Sequence, residues 1–282
     1  MEFFKRLFGI GPKVDWEAVK KSLDEKTIGL HKPAIRIIKT DKKTTSKFGG
    51  EPYADSDQFI WPESKGKPMA FLAQLDLSKI AKQYKYDWLS DQGFLLFFYD
   101  VIEMPWGFDP KDRGQWAVLY QKTCEIKIDY PKQIDAFSKL KESFIDFKRV
   151  EILPDCDDES VKVRNLTDEE IDLYIEEYAD TGDDSPLHQV GGFPSPVQGN
   201  YMELESHLAS HGIYLGDGKG YECAKAKAIE AGAKEWKLLF QFDSDDDLDV
   251  MWGDCGMIYF WVQESKSRAE KFDNAWLILQ CG

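Results

Sequence analysis

The chain has 282 residues, a formal net charge of −15 and 43% hydrophobic content, including 9 Trp, 12 Tyr and 18 Phe. That is ample material for a folded core. The acidity argues against general binding to nucleic-acid phosphates and leaves solubility, a cation or a basic protein partner as its uses. Five scattered cysteines without a Cys-x-x-Cys pair argue against a disulfide framework or a zinc knuckle and fit a reducing cytoplasm.

The opening MEFFKRLFGIG is too short for a signal h-region. No apolar run approaches the roughly 18 residues of a membrane span. Phe3, Phe4, Leu7 and Phe8 share a helical face, read as docking on the protein's own core in preference to a membrane surface. A soluble, cytoplasmic protein is expected. VDWEAVKKSLDEKTIG reads as a helix stopped by Gly29, and AIRIIKT after Pro33 as a strand. A long polar loop follows, pinned by Phe48, Tyr53, Phe59 and Trp61. MAFLAQLDL, GFLLFFYD and QWAVLYQK read as strands, with a short helix over SKIAKQYKY. PKQIDAFSKLKESF predicts a helix with Pro131 near its start, and FKRVEIL a strand.

The charged PDCDDES marks a boundary. LTDEEIDLYIEEYAD is a helix whose Thr167 and Glu170 form a capping box, broken by TGDDSP. The second half then offers a Gly/Pro-rich segment, a helix over YMELESHLASH, glycine-rich turns at 212–220 and a helix near 223–231. Strands EWKLLFQFD, GMIYFWVQ and AWLILQC close the chain, with a short helix around SRAEKF.

Three features recur in the same order. Gly49-Gly50-Glu51-Pro52 matches Gly191-Gly192-Phe193-Pro194; FLAQLD matches LFQFD, aligning Gln74 with Gln241 and Asp76 with Asp243; and Gly93 and Gly256 each open an aromatic strand. Tandem duplication accounts for that order. The expected fold is α+β and β-rich, with related halves at 31–155 and 165–282 packed as a single domain over 1–282, and residues 1–30 as an N-terminal helical segment. SKFGGEP, WPESKGKPMAFLAQLDL, HQVGGFP, LLFQFDSD, MWGDCGMIYFW and FDNAWLILQC together resemble the YwqG-like family of bacterial proteins. The resemblance runs from about Ser46 to Gly282 and implies a soluble α+β protein of unassigned biochemical role. It also suggests, by analogy, an immunity-type function.

Candidate site residues fall into three groups. In a strand, residues i and i+2 share a face, so Gln74 with Asp76, and Gln241 with Asp243, project together. They either tie down neighbouring loops or line a cleft between the halves, together with His188, Gln189, Trp252 and Asp254. Asp243, Asp245, Asp247 and Asp249 alternate like the early ligands of a calcium loop, but Leu248 and Asp254 stand where an EF-hand needs glycine and glutamate. A divalent cation outside an EF-hand, or a solvated acidic turn, are the readings left. Glu203, His207 and His211 share a helical face at a spacing that suits zinc, without the metalloprotease glutamate. GIYLGDGKGYE lacks the P-loop pattern.

No complete catalytic motif is present. The first functional reading is a non-enzymatic binding protein using an acidic face or the cleft, in its most concrete form an immunity-type inhibitor of a basic toxin. The alternative is a hydrolase or small-ligand enzyme with His188 and one of Asp76, Asp243 or Asp254 as acid and base.

Overall fold

The β-branched and aromatic runs become strands of one sheet. A computed structural model describes residues 14–181 and 186–282. The opening Phe3–Phe8 face and most of the TGDDSP breaker lie outside the described residues. The strands are β1 (Lys32–Lys39), β2 (Lys47–Phe48), β3 (Tyr53–Ala54), β4 (Glu63–Ser64), β5 (Lys67–Pro68), β6 (Ala70–Asp76), β7 (Phe94–Tyr99), β8 (Trp116–Gln121), β9 (Ile126–Lys127), β10 (Ser143–Ile152), β11 (Gln189–Val190), β12 (Trp236–Asp243), β13 (Met257–Gln263) and β14 (Trp276–Gln280). The helices are α1 (Trp16–Thr27), α2 (Leu77–Gln83), α3 (Glu159–Lys162), α4 (Asp168–Thr181), α5 (Met202–Ser210), α6 (Ala224–Ile229) and α7 (Glu264–Arg268). The protein is therefore α+β and β-rich. Among the described residues no helix is long and apolar enough to cross a membrane.

Ten strands form one antiparallel sheet in the order β14-β13-β12-β11-β1-β10-β2-β6-β7-β8. It curls until its ends nearly meet: the Trp116 indole N–H on β8 donates to the Ala275 carbonyl beside β14 (2.9 Å), and Trp116 stands edge-on to Trp276. The loop before β8 covers the free edge of β14, with Leu279 N–H donating to the Trp106 carbonyl at 3.1 Å. Closure of this kind removes the unpaired edges that invite aggregation. Inside the curl Phe48, Phe240 and Phe242 stack, and Phe97 meets Phe240 tilted and Phe260 edge-on, all fully buried.

The order reads alike from either end. β1 and β10 pair antiparallel at the centre, β1 then meets β11 and β10 meets β2. Ile35 lies opposite Val190 and Ser143 opposite Phe48, the last residues of the two short strands. Ile37 N–H donates to the His188 carbonyl and Ile145 N–H to the Ser46 carbonyl. Each β-bulge falls just before the glutamine triplet, between Phe71 and Ala73 on β6 and between Leu238 and Phe240 on β12.

The sequence reading needs one correction in this region. The segment 131–144 forms no α-helix: only Ala136–Ser138 makes a 3-10 turn, and Ser143 already opens β10. The sheet takes the end of the segment, since Phe144 pairs with Lys47 and strand pairing outweighs a weak helical pattern. The capping box is present, Glu170 N–H to Thr167 Oγ1 (3.3 Å) and Thr167 N–H to Glu170 Oε2 (2.7 Å). Glu170 also binds Lys26 and Ser22, which ties α4 to α1.

Candidate functional site

Both Gly-Gly turns put two consecutive residues at positive φ (Gly49 51°, Gly50 66°; Gly191 66°, Gly192 72°). A Cβ on Gly49 would lie 2.4 Å from the Lys141 carbonyl oxygen, and one on Gly191 would lie 2.3 Å from the Tyr86 hydroxyl. Only glycine fits either place.

Each turn is then held by the glutamine of its neighbouring strand. Gln74 Oε1 accepts from the Tyr53 N–H (2.9 Å) and its Nε2 donates to the Thr45 carbonyl (2.9 Å). Gln241 Oε1 accepts from the Ser195 N–H (2.9 Å) and its Nε2 donates to the Leu187 carbonyl (2.7 Å). Thr45 and Leu187 each stand four residues before the first glycine, and Tyr53 and Ser195 four after it. The aspartates follow suit. Asp76 N–H donates to Ser46 Oγ and Asp243 N–H to His188 Nδ1, at adjacent positions of the two loops. Asp76 accepts from the Thr45 hydroxyl (2.6 Å) and Asp243 from the Leu187 N–H (2.8 Å). Burial pushes the Asp243 carboxyl up, against the hydrogen bond from Leu187.

Two further glutamines belong to this arrangement and were not singled out from the sequence. Gln121 accepts from the Asp55 N–H (3.1 Å), and Gln280 from the N–H groups of Val197 (2.9 Å) and Gln198 (3.1 Å). The signal was available: each ends a Trp-led apolar run, WAVLYQ and WLILQ, which form the two end strands of the sheet.

Gln74 and Asp76 thus work on the first loop, and Gln241, Asp243 and His188 on the second. β11, β1, β10 and β2 lie between their strands in the sheet. Gln189 is fully buried, accepting from Arg36 (2.9 Å) and donating to the Gly191 and Phe193 carbonyls. Trp252 is buried against Tyr99 and Phe242, its indole N–H on the Asp243 carbonyl. Asp254 is exposed, and its carbonyl accepts from the Gly282 N–H.

The acidic turn already holds a cation of its own. The Lys39 ammonium lies 2.8 Å from Asp245 and 2.6 Å from Asp247. His188 completes the cluster from inside, its Nε2 3.1 Å from Asp245 Oδ2. Because His188 Nδ1 accepts from a backbone N–H, Nε2 carries the proton and donates to Asp245. Burial pushes the His188 pKa down, so the ring is neutral at pH 7, although Asp245 pulls the other way. Burial also raises Asp245, but the hydrogen bonds from His188 and Lys39 outweigh it and hold that carboxyl well below the usual range. Asp249 closes the turn in the left-handed region (φ 63°).

On α5, His207 Nδ1 accepts from the Trp236 indole N–H (3.1 Å), and His211 Nδ1 donates to the His207 carbonyl (2.6 Å). One of the two imidazoles thereby spends a lone pair on Trp236. Among the described residues, the one group of three or more acidic, cysteine or histidine side chains whose ligand atoms all lie within 4.8 Å of one another is Asp155, Cys156 and Asp157, outside every set read from the sequence.

Glu203 lies elsewhere, on the wall of an open groove of about 700 Å3. Trp236, Leu238 and Trp261 form its floor, Gly191 and Gly192 one side, and the first turn of α5 the other. Lys32 reaches in from the start of β1, its ammonium 3.8 Å over the Phe193 ring. Desolvation lowers the Lys32 ammonium and raises the Glu203 carboxyl, each against the attraction of the other. Trp261 is 1% exposed and its indole N–H has no hydrogen-bond partner.

The model of one protein family, a domain of unknown function designated DUF1963, matches residues 46–281. The chain belongs to that family. The DUF1963 match takes in both Gly-Gly turns, all four glutamines and the groove floor, and leaves α1 and β1 outside. No curated protein matches the chain.

Proposed function

We propose that this DUF1963 protein is a non-enzymatic binding protein and that its ligand site is the groove over Trp236, Leu238 and Trp261. The observation that carries the reading is the groove itself, about 700 Å3, where the aromatic Tyr84, Tyr86 and Trp88 line the same concave surface as the oppositely charged Lys32 and Glu203. Open concave sites with aromatic walls and a few polar groups are where small ligands and peptide segments bind. We also read the two halves as copies of one unit within a YwqG-like protein, on the strength of the repeated hydrogen bonds at matching offsets.

His188 supports this reading over hydrolysis. Both its ring nitrogens are engaged, one by a backbone N–H and one by Asp245, so it has no lone pair for a substrate proton. The acidic turn favours an external basic partner less than its sequence suggests, because Lys39 already neutralises part of it.

The test is the 15N-indole spectrum of the protein, with Trp261 assigned through Trp261→Phe and challenged with N-acetyl-tryptophanamide and a small library of aromatic amides at millimolar concentration. Shifts at Trp261 and Trp236, with Trp61 unmoved, are the expected result. A library that moves neither resonance would sink the proposal.

A further inference from the structure

Two opposite charges line the groove, and among the described residues neither makes an ion pair. Lys32 enters from the start of β1 and Glu203 from the first turn of α5. The Lys32 ammonium lies over the Phe193 ring at 3.8 Å, and the Glu203 carboxylate takes its own backbone N–H. Lys32 is exposed and Glu203 half-buried, so both are within reach of a ligand. Each feels the other's charge, yet that attraction falls short of the hydration both have lost. The exposed Asp87, Glu159 and Lys234 also line the groove, but the other charges that act on this pair are Asp158 and Lys237. Those two are engaged elsewhere. Lys237 pairs with Glu264 (3.4 Å), and Asp158 caps α3 and accepts from the Asn200 side-chain amide (3.1 Å). A carboxylate only accepts, so Asn200 turns its Nδ2 to Asp158 and keeps Oδ1 as an acceptor.

Beside the charges stands an aromatic wall. Tyr84 meets Tyr86 edge-on at 4.9 Å, and Tyr86 meets Trp88 tilted at 5.0 Å. The Tyr86 hydroxyl is occupied by the Pro33 and Val190 carbonyls, so this wall offers ring surface and no proton. Tyr84 is half-buried and presents that surface, backed by the buried Tyr86 and Trp88. Leu204, half-buried in the first turn of α5, adds apolar surface.

Resting on the groove reading above, we infer that the groove binds a free α-amino acid with an apolar or aromatic side chain. Its carboxylate meets the Lys32 ammonium, its ammonium meets the Glu203 carboxylate and Asn200 Oδ1, and its side chain lies against Tyr84 and Leu204. A zwitterion brings both counter-charges at once. A singly charged ligand answers one group and sets a like charge beside the other. Two charge-assisted hydrogen bonds of about 2.8 Å, with the amino acid between them, bridge groups that do not pair directly. A groove of about 700 Å3 lies within the range of small-ligand sites.

The probes are L-phenylalanine and L-leucine, each beside its N-acetyl form, which keeps only the carboxylate, and its amide, which keeps only the ammonium. They are titrated calorimetrically into the full protein. The better of the two amino acids is expected to bind about tenfold or more tighter than either of its blocked forms. It should also move the Trp236 indole resonance at correspondingly lower concentration. In Lys32→Met the amino acid and its amide should bind alike, and in Glu203→Gln the amino acid and its N-acetyl form should bind alike. A residue that only supports the fold would weaken all the probes together, which overturns its assigned role. Neither charge holds an ion pair, so both variants are expected to fold, and melting curves check this; if one does not, the probe series on the native protein still decides. If the amino acids bind no tighter than their blocked forms while aromatic amides move the groove indoles, the zwitterion is overturned and the groove stands. If no probe registers, both fall.

Discussion

The two Gly-Gly turns are held alike and covered differently. In both, a strand glutamine bridges backbone groups four residues to either side of the first glycine, and a second glutamine secures the chain farther on. Beyond that frame the halves part. The first roofs its position with a strap bearing Phe59 and Trp61, while the second starts helix α5 there, and Trp261 is buried as fully as Phe98. The contrast separates what repeats, the hydrogen bonds that hold the loops, from what differs, the chain that packs above them. Polar residues buried at matching places need not be functional, because loop backbone itself demands partners.

The largest effect should come from breaking the shared frame. Gln241→Ala strands a buried backbone N–H and a carbonyl, and is expected to cost about 3 kcal/mol by urea denaturation. Gln74→Ala should match it within about 1 kcal/mol, since its bonds are the same. A much smaller loss at Gln74 would mean that the first strap holds the turn without its glutamine. Next comes the strap itself. Trp61→Ala removes a half-buried indole from Phe98 and should cost about 2 kcal/mol. Trp261→Phe should cost under about 1.5 kcal/mol, because the ring body stays and the donor it loses has no partner. A loss at Trp261 as large as that at Trp61 would mean that the Trp261 indole N–H has a hydrogen-bond partner in the folded protein.

Much of the frame could be read from residues. The order of GGxP, glutamine triplet and aromatic strand located β6, β7, β12 and β13, and placed each Gln with its Asp on one face. Whether those faces met a cleft or a loop could not be read, because their partners are backbone groups of Thr45, Tyr53, Leu187 and Ser195, which side-chain type does not reveal. The false helix at 131–144 arose because local spacing carries no information about β2 waiting to pair with Ser143 and Phe144. The groove was invisible for a related reason. Trp236 and Trp261 look like ordinary core aromatics in sequence and are buried as such, and the groove beside them is lined by Lys32, Tyr84 and Glu203, which are far apart in the chain. Lys39 beside the acidic turn is a contact between distant parts of the chain, so the aspartates alone left a divalent cation and a solvated turn as readings and gave no sign of the lysine.

The pH response should belong to the second half alone. Ser46 occupies in the first loop the place that His188 occupies in the second, and only His188 titrates. The His188 pKa is lowered in the fold, so the unfolded chain binds the extra proton as pH falls below about 6.5, and stability drops there. The depressed Asp245 carboxyl adds stability that is present above about pH 3.9 and is lost only below it. His188 therefore lowers stability between pH 7 and pH 5, while the Glu205 carboxyl, pushed up to about 7 by burial, raises it over the same range, so the His188 part is read as the difference between the native protein and a His188 variant. His188→Asn, which can still accept from Asp243 N–H and donate to Asp245, should remove that part, and an unchanged slope would place the titrating group elsewhere.

The smallest effect tests the acidic turn. Asp247 is 77% exposed and shares Lys39 with the buried Asp245, so Asp247→Asn should change stability by less than about 0.5 kcal/mol in urea melts at 0.15 M salt. Asp245→Asn should cost several times more, because it leaves His188 Nε2 and Lys39 without their buried carboxylate. That ratio asks whether the turn is held from within. Comparable losses at the two positions would mean that the exposed carboxylates act together as one charged surface, returning the acidic face to consideration as a place where a basic partner docks.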